Sequence, residues 1–171
     1  DLRPFCRFGD INICSNTDVV NGLKHNMPYC FPEKGDLYPG VPRLILHEIK
    51  AHVGFSIGDI EVMPIKVMHD KLPILGYRIG KLAYITDMKN IEEKELEYLS
   101  GISVLVINAL RWKREHHSHQ LVDDAISFAR KLGVKRVFLI HMTHEIGLHA
   151  KANLLLPSGI QFGFDGETII V

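Results

Sequence analysis

The sequence has few cysteines, no net charge and no long hydrophobic run. Its 171 residues include three cysteines, Cys6, Cys14 and Cys30, and no C-x-x-C pair. This spacing argues against a disulfide scaffold or a cysteine-ligated zinc site, and it favours a reduced, cytoplasmic protein. Lys and Arg together number 20, as do Asp and Glu, so no net charge attracts nucleic acid or an anionic membrane. No apolar run is long enough to cross a bilayer.

What the sequence does contain is a hydrophobic fraction of 46%, with no internal repeat and no Pro- or Ser-rich linker. This composition excludes a disordered chain and predicts one domain over residues 1–171. The apolar pattern predicts an α/β layered fold, with a central β-meander followed by a βαβα segment and a terminal hairpin. The expected strands are 11–14, 44–49, 55–60, 60–68, 74–79, 81–86, 104–108, 137–140, 160–164 and 168–171.

Helices are expected where a capping residue precedes an amphipathic run. Residues 18–27 follow a cap at Asn16 or Thr17, residues 91–99 follow Asn90, and residues 121–132 end at Gly133. Residues 145–155 are expected to be helical as well, whereas residues 30–42 read as a long loop.

Histidines and one aspartate stand at the ends of strand-like runs. Asp87 ends the run from Leu82, His141 follows the apolar run 137–140, and His69 follows Met68. Imidazoles and a carboxylate at the edge of a sheet are suitable ligands for divalent metals such as zinc. Taken singly, each residue has a plainer interpretation. Asp87 would be a turn aspartate, His141 a histidine with one hydrogen bond at the sheet edge, and His69 a loop histidine.

A second group of histidines precedes the expected helix 121–132. His116, His117 and His119 lie where backbone N–H groups at a helix start attract anions such as phosphate. A solvated polar loop is the alternative, and for His117 it is the preferred one. His144 lies three residues after His141 and would share that site if a helical turn begins there.

Taken together, these motifs resemble those of the metallo-β-lactamase superfamily, in the order in which that family has them. Within it, they are similar to the subfamily of the phosphoribosyl cyclic phosphodiesterase of phosphonate breakdown. The segments that carry the resemblance are Asp1-Leu2-Arg3-Pro4-Phe5, His69 with Pro73 and Gly76-Tyr77-Arg78, Tyr84-Ile85-Thr86-Asp87, His116-His117-Ser118-His119, and Leu139-Ile140-His141-Met142-Thr143-His144. The resemblance implies part of an αβ/βα sandwich.

The resemblance also implies a centre of two divalent metal ions, zinc or manganese. His69 would be a ligand of one metal, Asp87 would bridge both, and His141 would be a ligand of the other. The activity implied is that of a metal-dependent hydrolase, a phosphodiesterase in which a metal-activated hydroxide attacks a small-molecule phosphodiester.

The family pattern assigns catalytic roles to His119 and Asp87. His119 would contact the scissile phosphate or the leaving group. His116 and His144 would lie on the substrate side, and Arg78 is the cation expected to bind a substrate phosphate.

One hallmark of the family, a His-x-His-x-Asp-His motif, is absent from the sequence. We therefore expect this chain to correspond to the C-terminal part of a longer protein, with an incomplete site and partial or no metal occupancy by itself. An apolar sheet face left uncovered predicts a homodimer. The alternatives are a metal-dependent thioester or lactone hydrolase, and a non-catalytic remnant of the fold that acts as a binding module.

Overall fold

A computed structural model describes residues 2–31 and 40–171, so most of the loop expected at 30–42 lies outside the described residues. The chain divides into two compact units, residues 1–50 and 51–171, which we describe separately. The expectation of a single domain stays a prediction. Within the described residues, no helix combines the length and the hydrophobicity needed to span a membrane.

The first unit is a small parallel β-α-β arrangement. It contains a 3₁₀ helix, Arg3–Phe8, then β1 (Ile11–Ser15), α1 (Thr17–Asn26), a 3₁₀ turn, Pro28–Cys30, and β2 (Leu44–Glu48). Strands β1 and β2 pair in parallel. The side chain of Asn16 accepts a hydrogen bond from the Val19 N–H at 2.9 Å, which satisfies a backbone donor at the start of α1. The capped helix expected from the sequence is thereby confirmed.

The second unit is built on a seven-stranded sheet whose strands follow one another in chain order. The strands are β3 (Phe55–Ile57), β4 (Ile60–His69), β5 (Leu72–Ile79), β6 (Leu82–Ile85), β7 (Val104–Asn108), β8 (Arg136–Ile140) and β9 (Ile160–Phe162). Strands β3 to β6 form an antiparallel meander, and β6 to β9 run parallel. The mixed α/β class expected from the sequence is confirmed.

Helix α2 (Val122–Leu132) contributes to the main core on one face of this sheet. Along β7, Leu105 and Ile107 belong to that core, while Val104 and Val106 belong to a smaller cluster. This alternation follows from the two-residue period of a strand. The smaller cluster contains only a few buried side chains among the described residues, and the side chain of Tyr84 beside it is 42% exposed. The homodimer, in which a second copy would cover this cluster, stays a prediction.

The structure corrects two helix predictions. In place of the expected helix 91–99, the chain forms a 3₁₀ helix, Glu93–Leu99, with Glu92 at its cap position. Asn90 does not cap it, because the backbone of Asn90 pairs with Met68. Residues 145–155 are divided into a 3₁₀ turn, His144–Ile146, and α3 (His149–Asn153). Gly147 adopts a φ of 90° between them, which no α-helix accommodates.

The end of the chain also differs from the prediction. Strand β9 is present, but it pairs in parallel with β8 and not in a hairpin. Residues 168–171 form no strand. The turn at Asp165-Gly166 is typical of hairpins, yet the side chain of Glu167 accepts hydrogen bonds from Gln161 and from the Phe164 N–H. Of these two donors, the Phe164 N–H is one that a hairpin ladder would otherwise pair with the opposite strand.

Candidate metal centre

The parallel register of three strands aligns the residues that follow them. Ile85 on β6 is level with Ile107 on β7, and Ile107 is level with Leu139 on β8. Asp87 and His141 each lie two residues beyond this level, at the same edge of the sheet. Because the carboxyl ends of parallel strands meet at one edge, the two side chains can approach each other across the end of β7.

The backbone turns sharply at each of these strand ends. Asp87 and His141 both adopt a φ of 58°, and Asp70, directly after His69, adopts a φ of 55°. A residue other than glycine in this left-handed region costs on the order of 1 kcal/mol or more. Such strain persists only where surrounding contacts determine the backbone, and it is typical of functional sites.

The turn after Asp87 is fastened to the strand that carries His69. The N–H of Met68 donates to the carbonyl of Asn90 at 2.8 Å, and the Lys89 N–H donates to the carbonyl of Met68 at 2.7 Å. Met68 directly precedes His69 in β4. These backbone hydrogen bonds therefore bring the end of β4 to the same place as the end of β6.

Three imidazoles converge on the Asp87 carboxylate. Its Oδ1 atom lies 3.2 Å from Nε2 of His119 and 3.1 Å from Nε2 of His141. The ligand atoms of His69, Asp87 and His119 all lie within 4.8 Å of one another. We call these four residues the His/Asp cluster. Asp87 thus lies close to both His69 and His141, as expected, but the three ligand atoms that lie within 4.8 Å of one another include that of His119 and not that of His141. The ring of His119 lies between those of His69 and His141.

A hydrogen-bond network holds the far side of the His119 ring. The hydroxyl of the buried Ser118 lies 3.0 Å from Nδ1 of His119 and 3.2 Å from Nδ1 of His116. The Ser118 N–H donates to Nδ1 of His116 at 3.4 Å, so that nitrogen is an acceptor. Because a hydroxyl donates once and also accepts, we therefore assign the Ser118 O–H as the donor to His116 and the His119 Nδ1–H as the donor to Ser118. This tautomer leaves a lone pair on His119 Nε2, 3.2 Å from Asp87 Oδ1, an arrangement that a cation between the two atoms would stabilise.

Burial favours the neutral form of His119. Burial lowers the pKa of its imidazole below the ordinary value of 6.5; the hydrogen bond that the protonated ring would donate to Asp87 opposes this shift, and the nearby rings of His141 and His69 add to it. Burial also lowers the pKa of His116, with smaller contributions from the basic side chains around it. A neutral imidazole with a free Nε2 lone pair is the state that a metal ligand requires.

The donor set of the cluster fits a divalent transition metal. Imidazole nitrogens and a carboxylate oxygen are the ligands of zinc and manganese sites. In addition, the Nε2 atoms of His119 and His141 lie 3.1 Å apart, so two lone pairs would face each other unless a proton or a cation lay between them. The network behind His119 is of the kind that orients metal-ligating histidines.

Of the other residues predicted for the site, the structure brings His116 to the cluster, with its ring centroid 4.9 Å from that of His119. His144 is exposed in the 3₁₀ turn after β8, and within the described residues it makes no hydrogen bond or ring contact with the cluster. His117 is exposed, as a solvated loop residue would be.

Arg78 is not at the site. It pairs with Met63, six residues before His69, which places it about 20 Å away along the strand. Its guanidinium donates to the carbonyls of Gly80 and Tyr98 at 2.9 and 2.8 Å. The expectation that Arg78 binds a substrate phosphate is corrected accordingly, since it lies far from the cluster and two of its N–H groups hold backbone carbonyls.

Two residues of the site were missed by the sequence analysis. Ser118 is 2% exposed, and Asn108, at the end of β7, is fully buried. A polar residue that ends an apolar run such as Val104–Asn108 needs hydrogen-bond partners inside the protein. That requirement was the signal by which Asn108 could have been found, whereas nothing in the sequence distinguished Ser118 from a loop serine.

Comparison with known proteins agrees with this geometry. A family model described as "Beta-lactamase superfamily domain" matches residues 1–142. The chain belongs to the metallo-β-lactamase superfamily. Among solved structures, a diphosphatase from the PhnP family is 31% identical, with a TM-score of 0.84 over 98% of this chain and 62% of that one. The resemblance stated from the sequence motifs is thereby confirmed.

Other relatives are more distant or longer. YhfI of Bacillus subtilis, a metallo-β-lactamase fold protein, matches 95% of this chain and 66% of its own with a TM-score of 0.67, and at 11% identity it shows the fold alone. An octanoyltransferase of Porphyromonas gingivalis (strain ATCC BAA-308 / W83) is 37% identical over the whole of this superfamily member, which spans 34% of that protein. The chain therefore spans less than two thirds of both the octanoyltransferase and the diphosphatase.

Proposed function

We propose that this chain carries part of the active site of a metal-dependent hydrolase that cleaves small phosphodiesters at a centre of two metal ions. The observation that carries the proposal is the convergence of three imidazoles on one carboxylate at a sheet edge. His69, Asp87 and His141 are the residues we assign to the metals, with Asp87 shared between them. When bound, zinc or manganese ions would supply Lewis acidity and would lower the pKa of a water molecule.

The chain's own residues contribute orientation and proton placement. Asp87 directs its Oδ1 atom at His119 and His141. Ser118 holds the proton on Nδ1 of His119, so that Nε2 faces the reacting centre. The assignment of His119 as the residue that contacts the scissile phosphate stays a prediction, because a neutral Nε2 lone pair suits a metal ligand equally well.

Hydrolysis at phosphorus is supported by the structural relative that covers 98% of this chain, which is a diphosphatase. A second candidate, hydrolysis of a thioester or lactone, is favoured by the relative named octanoyltransferase. This chain spans 34% of that protein, so the acyl transfer that the name describes can belong to the part of it that this chain does not match. We therefore prefer the phosphodiesterase.

The test uses the protein at its full natural length. We expect the purified protein to contain stoichiometric metal and to hydrolyse bis(p-nitrophenyl) phosphate, and we expect Asp87→Ala to abolish this turnover. A panel of thioesters and lactones separates the second candidate. Full activity of the Asp87→Ala variant would refute the assignment of the site, and a protein without metal would favour the non-catalytic binding module.

A further inference from the structure

We infer that Asn108 is a positioning residue that fixes the direction of the Asp87 carboxylate, an inference that rests on the proposed function. The side chain of Asn108 is fully buried. Its Oδ1 atom accepts a hydrogen bond from the Met88 N–H at 2.8 Å, and its Nδ2 atom donates to the Met88 carbonyl at 2.9 Å. One side-chain amide thus satisfies both polar backbone groups of a single residue.

That residue is the one directly after Asp87. The Met88 N–H belongs to the peptide group that joins Asp87 to Met88, and the Met88 carbonyl belongs to the next peptide group. Holding both groups fixes the two backbone torsions of Met88, and it fixes the plane of the peptide group that directly follows Asp87. Asp87 has the strained φ of 58°, so its conformation depends on contacts that hold the chain beyond it. Asn108 supplies two such contacts.

The location of Asn108 explains why a strand residue can do this. Strand β7 lies between β6, which leads to Asp87, and β8, which leads to His141. Asn108 is level with Ile140 on β8, and the following Ala109 N–H donates to the Ile140 carbonyl at 2.8 Å. The residue that holds the turn after Asp87 is therefore itself fixed beside the strand end that carries His141.

The side-chain type is decided by this geometry. An asparagine amide presents a donor and an acceptor side by side, as a peptide group does. A leucine of similar shape would leave the buried N–H and carbonyl of Met88 without these partners, and the turn would have to shift to reach others. A serine is too short to reach both groups at once.

The experiment measures zinc affinity of the full-length protein by competition with a chromophoric chelator, with thermal unfolding of the metal-free protein measured in parallel. The variants are Asn108→Leu and Asn108→Ser. The matched control is Val104→Ala, which weakens the core at the opposite end of the same strand. We expect both Asn108 variants to bind zinc about 10–100-fold more weakly, as is typical when a residue that orients a metal ligand is lost.

The control is expected to lower the melting temperature by a similar amount but to change zinc affinity by less than about threefold. Asn108 variants that bind zinc as the wild type does would overturn the inference, as would a control that loses as much affinity as they do. If the leucine variant does not fold, the serine variant is judged by the same comparison. If the wild type binds no zinc, it is the proposed function that fails. That result differs from the two above, in which the wild type binds zinc and only the role of Asn108 is refuted.

Discussion

The substitution Asp87→Asn separates the charge of the cluster from its backbone geometry. Asparagine has the shape of aspartate and also tolerates the left-handed backbone that Asp87 adopts. The substitution therefore removes one negative charge at an atom 3.1 Å from His141 Nε2 and 3.2 Å from His119 Nε2, and it leaves the turn in place. We expect zinc affinity to fall sharply while the metal-free protein stays folded.

The size of the effect follows from the position of the carboxylate. Loss of a partner one shell away from a metal costs about 10–100-fold in affinity. A carboxylate that touches the metal directly should cost more than that, so we expect a loss of over ~100-fold, or at least ~2.8 kcal/mol. The metal-free stability should change by less than ~1 kcal/mol, because Asp87 is 39% exposed. Asp87→Ala should lower the free energy of unfolding of the metal-free protein by about 1 kcal/mol more than Asp87→Asn does, since alanine fits the left-handed region poorly.

The assay is a zinc titration against a competing chelator, combined with chemical denaturation in the presence of EDTA. The matched control is Asp70→Asn, which makes the same change at an exposed aspartate with a φ of 55°, one residue after His69. That variant should bind zinc as the wild type does. An Asp87→Asn protein with an affinity within threefold of the wild type, or an equal loss in Asp70→Asn, would refute the reasoning.

Of three further predictions, two concern the surroundings of the cluster and the third concerns the opposite end of β8. Ser118→Ala removes the hydroxyl that orients His119, and we expect about a tenfold loss of zinc affinity in the same titration; unchanged affinity would contradict the assigned tautomer. Because burial lowers the pKa of His119, the unfolded chain binds more protons than the folded one at pH values between the lowered pKa and about 6.5. The metal-free protein should therefore lose stability as the pH falls through that window; denaturant midpoints at several pH values, measured with EDTA, test this, and His119→Leu should flatten the dependence. Finally, Gly159→Ala would place a methyl group onto the carbonyl oxygen of Lys135 at a φ of 84°, and should cost about 2–4 kcal/mol in denaturation experiments. Gly166→Ala, at a φ of 86° with open space around it, should cost only about 1 kcal/mol, and equal losses would disprove the steric argument.

Much of the fold was predictable because its signals are local. The strands that form the meander and the buried parallel strands show their two-residue alternation or their continuous apolar runs in the sequence. Helices α1 and α2 were predictable from Asn16 at one start and Gly133 at the other end, with Gly133 at a φ of 70°. The predictions failed where a distant part of the chain bound the residue that carried the signal. Asn90 is a residue type that commonly caps helices, but here its backbone pairs with Met68.

The residues of the cluster were predictable as types, and their partners were not. His69, Asp87 and His141 could be found because chemically reactive side chains followed apolar runs. Arg78 was misplaced because a sequence does not reveal which backbone carbonyls lie near a guanidinium, here those of Gly80 and Tyr98.

The sequence by itself determined the strands, the order of the motifs and the kinds of ligand available, since these depend on residue type and on spacing along the chain. Only the tertiary structure decided that His119 lies between the rings of His69 and His141, that Ser118 orients it, and that Asn108 holds the turn after Asp87. These arrangements join residues that are far apart in the chain, and their distances are set by the register of neighbouring strands. Register depends on which strands pair, and pairing is a property of the folded sheet.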